Sequence, residues 1–196
     1  ACMIDGGFAD NAIALASSHF CTAERQFRTP LDYGGKRTPT AQWTVTGCGC
    51  VMLEKAGKGT AVTAAQIGRV VDLGVKDANN MGAAMAPAAA QTIKEYLKNS
   101  GTKAEDYDMI ITGDLGRVGT KLLKELLEKE KITLNNHNDC GLMIFSQNQN
   151  VQSGASGCGC GATVMAAEIL PKMANGKLDN ILFIATGALM SPATTM

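Results

Sequence analysis

The sequence carries no excess of charge of either sign. Its 18 Lys and Arg balance 18 Asp and Glu, so the formal net charge is zero. That removes the electrostatic case for nucleic acid or an anionic membrane surface as the main partner. No apolar run reaches the roughly 18–20 residues of a membrane span. The best candidate, Met81-Gly82-Ala83-Ala84-Met85-Ala86, stops at Pro87. The first residues do not read as a secretory leader, and a natural start would carry Met. The opening, Ala1-Cys2-Met3-Ile4-Asp5-Gly6-Gly7, reads as the last turn of a helix ended by glycines, so an upstream portion is expected. Histidine is limited to His19 and His137. Seven cysteines, an odd number, do not suggest a disulfide framework, and a reducing cytosol is the simpler reading.

What is present is globular. Hydrophobic residues make up 45% of the 196 and charged residues 18%, enough for one ordinary domain with a sizeable core. Asn11 to Ala16 predicts a buried strand that ends in Ser17-Ser18-His19. Residues 20–42, with Thr29-Pro30, Gly34-Gly35 and Thr38-Pro39, predict a long ordered loop. Trp43 to Leu53 predicts one strand, and Ala61 to Leu73 another, with Val62, Ile67, Val70 and Val71 apolar. Pro87 is placed to open a helix whose face is Ala86, Ala89, Ala90, Ile93 and Leu97, capped by Gly101. Met109 to Thr112 predicts a short buried strand. Gly113 to Gly116 then turns into a helix with the stripe Val118, Leu122, Leu126 and Leu127. Gly141 to Phe145 predicts a strand, followed by a polar loop, Ser146 to Gln152. A third helix carries Ala162, Met165, Ala166, Ile169 and Leu170 on one face and ends at Pro171. Asn180 to Thr186 predicts a last strand.

Strands alternating with helices imply an α/β fold, a mixed sheet covered by helices. Ligands of such sheets sit at the carboxyl ends of strands. Three loops qualify: Ser17 to His19 with the segment after it, Gly113 to Gly116, and Ser153 to Gly161. The last, Ser153-Gly154-Ala155-Ser156-Gly157-Cys158-Gly159-Cys160-Gly161, allows close backbone approach and offers N–H groups at a helix start. Tight packing of helix on sheet explains it equally well. It is neither a Walker loop nor a dinucleotide fingerprint. Cys48/Cys50 and Cys158/Cys160 form two Cys-x-Cys pairs among glycines, where small-residue packing outweighs a four-thiolate zinc site. His137-Asn138-Asp139-Cys140 lacks a third orienting group for a Cys–His nucleophile. Asp114, flanked by Gly113 and Gly116, either caps the following helix or offers a carboxylate to a ligand. Trp43, Gln42 and Thr40 are read as mainly structural, with pocket lining as the alternative.

Gly154-Ala155-Ser156-Gly157 before an Ala-rich helix, after Asn138-Asp139-Cys140-Gly141, is similar to the C-terminal half of the thiolase and ketoacyl-synthase superfamily. Within it the chain most resembles the stage V sporulation protein AD family. The segments that carry the likeness include Ser17-Ser18-His19-Phe20, Ala23 to Arg28, Trp43 to Gly47, Lys76 to Pro87, Thr112 to Gly116, Ser156 to Cys160 and Thr186 to Pro192. The resemblance implies a thiolase-like fold of two related halves that tends to dimerise. It assigns residues 1–56 to the end of the N-terminal half and 57–196 to the C-terminal half, whose last strand would follow Met196. The family's nucleophile would lie upstream of Ala1.

The departures from thiolases matter most. Asn150-Val151-Gln152 stands where thiolases place a histidine, Gly113-Asp114 where relatives have another, and Thr186-Gly187-Ala188 where the Cys-x-Gly box belongs. The resemblance therefore implies a scaffold converted from acyl transfer to binding, with no catalytic residue and no cofactor. The implied ligand is dipicolinic acid, free or as its calcium chelate, taken up into the developing spore. Other stage V sporulation membrane proteins are the implied partners, at the cytoplasmic face or periphery of the spore inner membrane. Expected ligand-binding residues are Asp114, Ser153, Ser156, Gly157, Thr40 and His19, with Asp114 as the oxygen ligand for any calcium that comes with the ligand. Two other readings stay open: an acyl-transfer enzyme whose nucleophile lies upstream, and a structural subunit of a membrane transport complex.

Overall fold

The computed structural model describes residues 1–19, 37–55, 57–188 and 190. The expected loop over 20–42 lies outside the described residues up to residue 36. The chain opens with a short helix, α1 (Cys2–Asp5), closed by Gly6 and by Gly7 at φ +75°. Strand β1 (Asn11–Ser18) follows, then β2 (Trp43–Thr44) and β3 (Gly47–Glu54). Helix α2 (Met81–Ser100), β4 (Met109–Thr112), α3 (Gly116–Lys129), β5 (His137–Asp139) and α4 (Cys140–Met143) come next. Then come β6 (Ala155–Ser156), α5 (Cys158–Val164), a π turn (Met165–Ile169), α6 (Leu170–Ala174) and β7 (Ile181–Ile184).

Among the described residues, three small sheets organise these elements. β4 lies between β5 and β7, all parallel. Ile110 and Ile111 of β4 point to opposite faces, and both are wholly buried. On one face Ile110 joins Met85, Ala89, Ile93 and Leu97 of α2 with Leu123 and Leu127 of α3. On the other, Ile111 joins Val45, Cys140, Ala155, Cys160, Val164 and Ile169. A strand buried on both sides between helices is what a parallel sheet requires. β2 pairs with β6, also parallel, and β1 pairs with β3 antiparallel over its whole length.

The expected α/β organisation, the strand over 109–112, the helix after Gly116, the last strand and the Gly101 cap at φ +71° are all present. Several expectations are corrected. The run from Trp43 to Leu53 is two strands in different sheets. The break falls at Val45, whose N–H donates to Ser156 O while its carbonyl accepts from Ser18 Oγ. β1 is not buried: Ile13 and Leu15 stand 72% and 63% exposed, because among the described residues only the opposite face is covered. Residues 61–73 form no strand. They run along α2, held by Gln66 to Asn99 and Arg69 to Glu95, with Ile67 and Val70 facing outward.

Helix α2 begins at Met81, not at Pro87, because the Asn80 side chain caps it by accepting from Ala83 N–H. Of the expected α3 stripe Leu127 is buried, and its companions are Gly119 and Leu123, while Val118, Leu122 and Leu126 are half-buried. Gly82 and Gly119 let α2 and α3 cross in backbone contact, and this rotates Leu123 inward. Gly141 to Phe145 is no strand. Gly141 backs directly onto the Ala155 carbonyl, and the chain turns into α4 instead. The third helix does not stop at Pro171. The π turn before it moves the carbonyl that the proline ring would strike, and the helix continues to Ala174. Its buried side runs through Gly159, Cys160, Val164 and Ile169.

Candidate functional site

The loops after β4 and β7 meet the segment between β6 and α5 at Asp114. This carboxylate, 8% exposed, accepts the Thr186 hydroxyl on Oδ1 at 2.7 Å and the Gly157 N–H on Oδ2 at 3.0 Å. Its own N–H donates to Thr186 Oγ1, and its carbonyl accepts from Gln42 Nε2 at 2.8 Å. The same Gln42 nitrogen donates to Ala155 O. One residue thus ties together three chain segments far apart in sequence. Gly157 can take part because at φ +124° it occupies backbone space that side chains disfavour.

Asp139, at the end of β5, forms the second half of this knot. It is wholly buried and accepts from the Thr112 hydroxyl at 2.6 Å, Leu115 N–H at 2.8 Å and Gly116 N–H at 3.0 Å. The carboxylate that caps α3 is therefore Asp139 and not Asp114. Gly116, at φ +65°, turns the first N–H groups of the helix towards β5. Burial pushes the Asp139 carboxyl up to about 6, against the pull of those three donors and with a further push from the Asp114 charge.

His137 Nε2 lies 3.0 Å from Thr112 Oγ1. With its single proton engaged by Asp139, the threonine accepts from the imidazole N–H. Burial, helped by the charge of Lys124, lowers His137 to about 4, so the ring is neutral at physiological pH. Cys140 is wholly buried, and burial with the Asp139 and Asp114 charges pushes its thiol up to about 12. Burial also raises the Cys160 thiol far above its ordinary value. Both shifts oppose thiolate formation. Cys48, Cys50 and Cys158 are exposed. Around them a Cβ on Gly49 would run into the Ala162 backbone, and one on Gly159 into Gly47 O, so the glycines set the packing of β3 on α5.

Of the six expected ligand residues, four come together. Asp114 and Gly157 bond directly. Ser153 Oγ accepts from Val118 N–H, and its carbonyl accepts from Arg117 N–H, on the first turn of α3. Ser156, wholly buried, accepts Val45 N–H on its carbonyl. Thr40 pairs its hydroxyl with Thr38 at 2.9 Å, two residues before Gln42. His19 is exposed, next to Ser18, whose Oγ accepts from Gly159 N–H. Among the described residues no hydrogen bond joins His19 or Thr40 to the knot. Asp139, Thr112 and Thr186 were not singled out as site residues by the sequence, although Thr186 stands where the resemblance puts the thiolase Cys box. The one signal for Asp139 is an acid directly before a buried Cys-Gly.

Above the knot Trp43 is 38% exposed. Its indole N–H donates to Gln152 Oε1 at 3.0 Å, and the Arg37 guanidinium carbon lies 3.4 Å from the ring centre. No described helix is long and apolar enough to cross a membrane.

A family model described as Stage V sporulation protein AD matches residues 1–196. Stage V sporulation protein AD of Bacillus subtilis (strain 168) is 47% identical over 191 residues, covering 97% of this chain and 56% of that protein. The chain thus spans little more than half the length of the curated relative it matches.

Proposed function

The chain belongs to the stage V sporulation protein AD family, and on that premise we propose that it serves sporulation by binding dipicolinic acid, without catalysing a reaction. The ligand is taken free or as its calcium chelate, for uptake into the developing spore. The observation that carries the binding reading is the use of the buried carboxylates Asp114 and Asp139, which hold the loops at the strand ends in one fixed frame. Acyl transfer uses a thiolate and a base poised near neutrality. Here the thiol is pushed up to about 12 and the imidazole down to about 4. What the buried groups do instead is hold loops, a use that favours a fixed receptor.

In this reading the scaffold is thiolase-like, with residues 1–56 and 57–196 belonging to its two halves, and it works as a homodimer. Asp114, Ser153, Ser156 and Gly157 give the receptor its shape, with Thr40 and His19 on its approaches. Loops at the carboxyl ends of parallel strands are where α/β sheets take ligands. Asp114 is held by two donors and is pre-set as a hard-oxygen contact for calcium. Other stage V sporulation membrane proteins are its partners, at the cytoplasmic face or periphery of the spore inner membrane.

Equilibrium dialysis of dipicolinate against the protein, with and without Ca²⁺, tests the reading. Thioester turnover is measured on the same samples. Saturable binding without turnover is expected. Turnover would replace it with the acyl-transfer reading. Absence of dipicolinate binding alongside retained binding to membrane partners would replace it with a structural role.

A further inference from the structure

Beside the carboxylates of the knot lies one buried amide, Gln42, 6% exposed. Its Nε2 donates to Asp114 O and to Ala155 O, each at 2.8 Å. A primary amide holds its two N–H bonds in one plane at a fixed angle, so the two carbonyls are set relative to each other. Gly116 makes room for this group, since a Cβ there would stand 2.7 Å from Gln42 Nε2.

These bonds close a ring. Asp114 Oδ2 accepts from Gly157 N–H at 3.0 Å, and Gly157 follows Ala155 by two residues. The loop after β4 and the glycine segment are therefore joined from two sides, by the Asp114 carboxylate and by the Gln42 amide. Seating β2 on β6 does not need that amide. Trp43 N–H on Gly154 O at 2.8 Å, Val45 N–H on Ser156 O at 2.9 Å and Ser153 N–H on Ala41 O at 3.1 Å lace the two segments by backbone alone. What the side chain adds is the reach to Asp114 O, 72 residues away in sequence.

We propose that Gln42 is a positioning residue of the ligand site: its amide sets the spacing between the Asp114 turn and the glycine segment, and through that spacing the affinity for dipicolinate. This rests on the dipicolinate reading and adds a residue that touches the frame and not the ligand. A receptor whose groups are fixed before binding loses less freedom on binding. Without the amide the two loops keep the single bond between Asp114 and Gly157 on that side, and their gap is free to vary.

Equilibrium dialysis of dipicolinate and backbone hydrogen exchange read by mass spectrometry are applied to the full chain and to Gln42→Met, which keeps the length and loses both donors. Affinity should fall about tenfold or more, for the loss of two neutral hydrogen bonds. Exchange should quicken over 113–117 and 153–158 and stay at the parent's rate in α2. Gln42→Asn keeps the donors but falls one methylene short of the carbonyls. It should lie between the parent and Gln42→Met on both readouts, and it carries the test if Gln42→Met does not fold. Parent-like affinity in the folded variants overturns the inference and leaves the dipicolinate reading standing. Exchange that quickens equally in α2 marks a residue that only supports the fold, and overturns it too. No dipicolinate binding by the parent overturns the dipicolinate reading and the inference with it.

Discussion

Asp139 and His137 share the Thr112 hydroxyl and have opposite pH linkages. Asp139 rises from 3.8 to about 6 on folding, so between those values the folded chain binds more protons and acidification stabilises it. His137 falls from 6.5 to about 4, so the unfolded chain takes up the proton first and acidification destabilises the fold over that window. Each shift corresponds to about 3 kcal/mol, and they nearly cancel. Urea unfolding from pH 7 to 4 should therefore separate two variants. His137→Gln should gain stability on acidification relative to the parent, and Asp139→Asn should lose it. Parallel curves for both would show that the buried relay does not titrate as described. Asp114 is a different case, since its carboxylate is an acceptor for two donors. Asp114→Ala should cost about 2–3 kcal/mol by leaving Gly157 N–H and Thr186 Oγ without it, and Asp114→Asn, which keeps one acceptor, about half as much. An equal loss in both would mean that charge, not acceptor geometry, matters.

At the scale of elements, α2 contains two departures from an ideal helix with opposite consequences. Pro87 sits in its interior, where it withholds an N–H from the ladder and crowds the carbonyl of Ala83. Pro87→Ala should raise stability, by up to about 3 kcal/mol. Gly82 also looks like a poor helix residue, yet a Cβ there would stand 2.5 Å from Leu115 O and 2.8 Å from Gly119 N. Gly82→Ala should therefore destabilise by about 1–3 kcal/mol, because overpacking against backbone exceeds the roughly 1 kcal/mol gained in helix propensity. Thermal melts of the two variants should move in opposite directions. The π turn over Met165–Ile169 belongs to the same logic: a proline is kept inside a helix by widening the turn ahead of it.

For the whole molecule, the covered core and the uncovered surface are both apolar. Ile13 and Met52 face each other across β1 and β3, 72% and 70% exposed, with Leu15 beside them and Phe8 at 82%. Open strand edges with an apolar face invite association. The isolated chain should therefore associate in sedimentation experiments as its concentration rises. Ile13→Lys with Met52→Lys should shift that association to at least severalfold higher concentration without changing the melt, since neither side chain is in the core. Unchanged association would place the contact elsewhere, with the outward side chains of residues 61–73 next in line.

The sequence alone determined what local chemistry decides. A left-handed Gly101, the apolar run Met109–Ile111 and the start of α3 at Gly116 need nothing beyond their neighbours. The Gly-Ala-Ser-Gly segment and Asp114 were legible as one locality through their places at strand ends. What tertiary structure decided is who partners whom. Trp43 to Leu53 has a single strand's pattern, and only the competing bonds of Ser18 and Ser156 split it between two sheets. Which acid caps α3 depends on β5 lying beside β4, a pairing across 27 residues that no short window contains. Thr186 reaches Asp114 because β7 takes the other side of β4. Hydrogen-bond partners in the knot are set by strand order, which is non-local, whereas caps and apolar runs are written in adjacent residues.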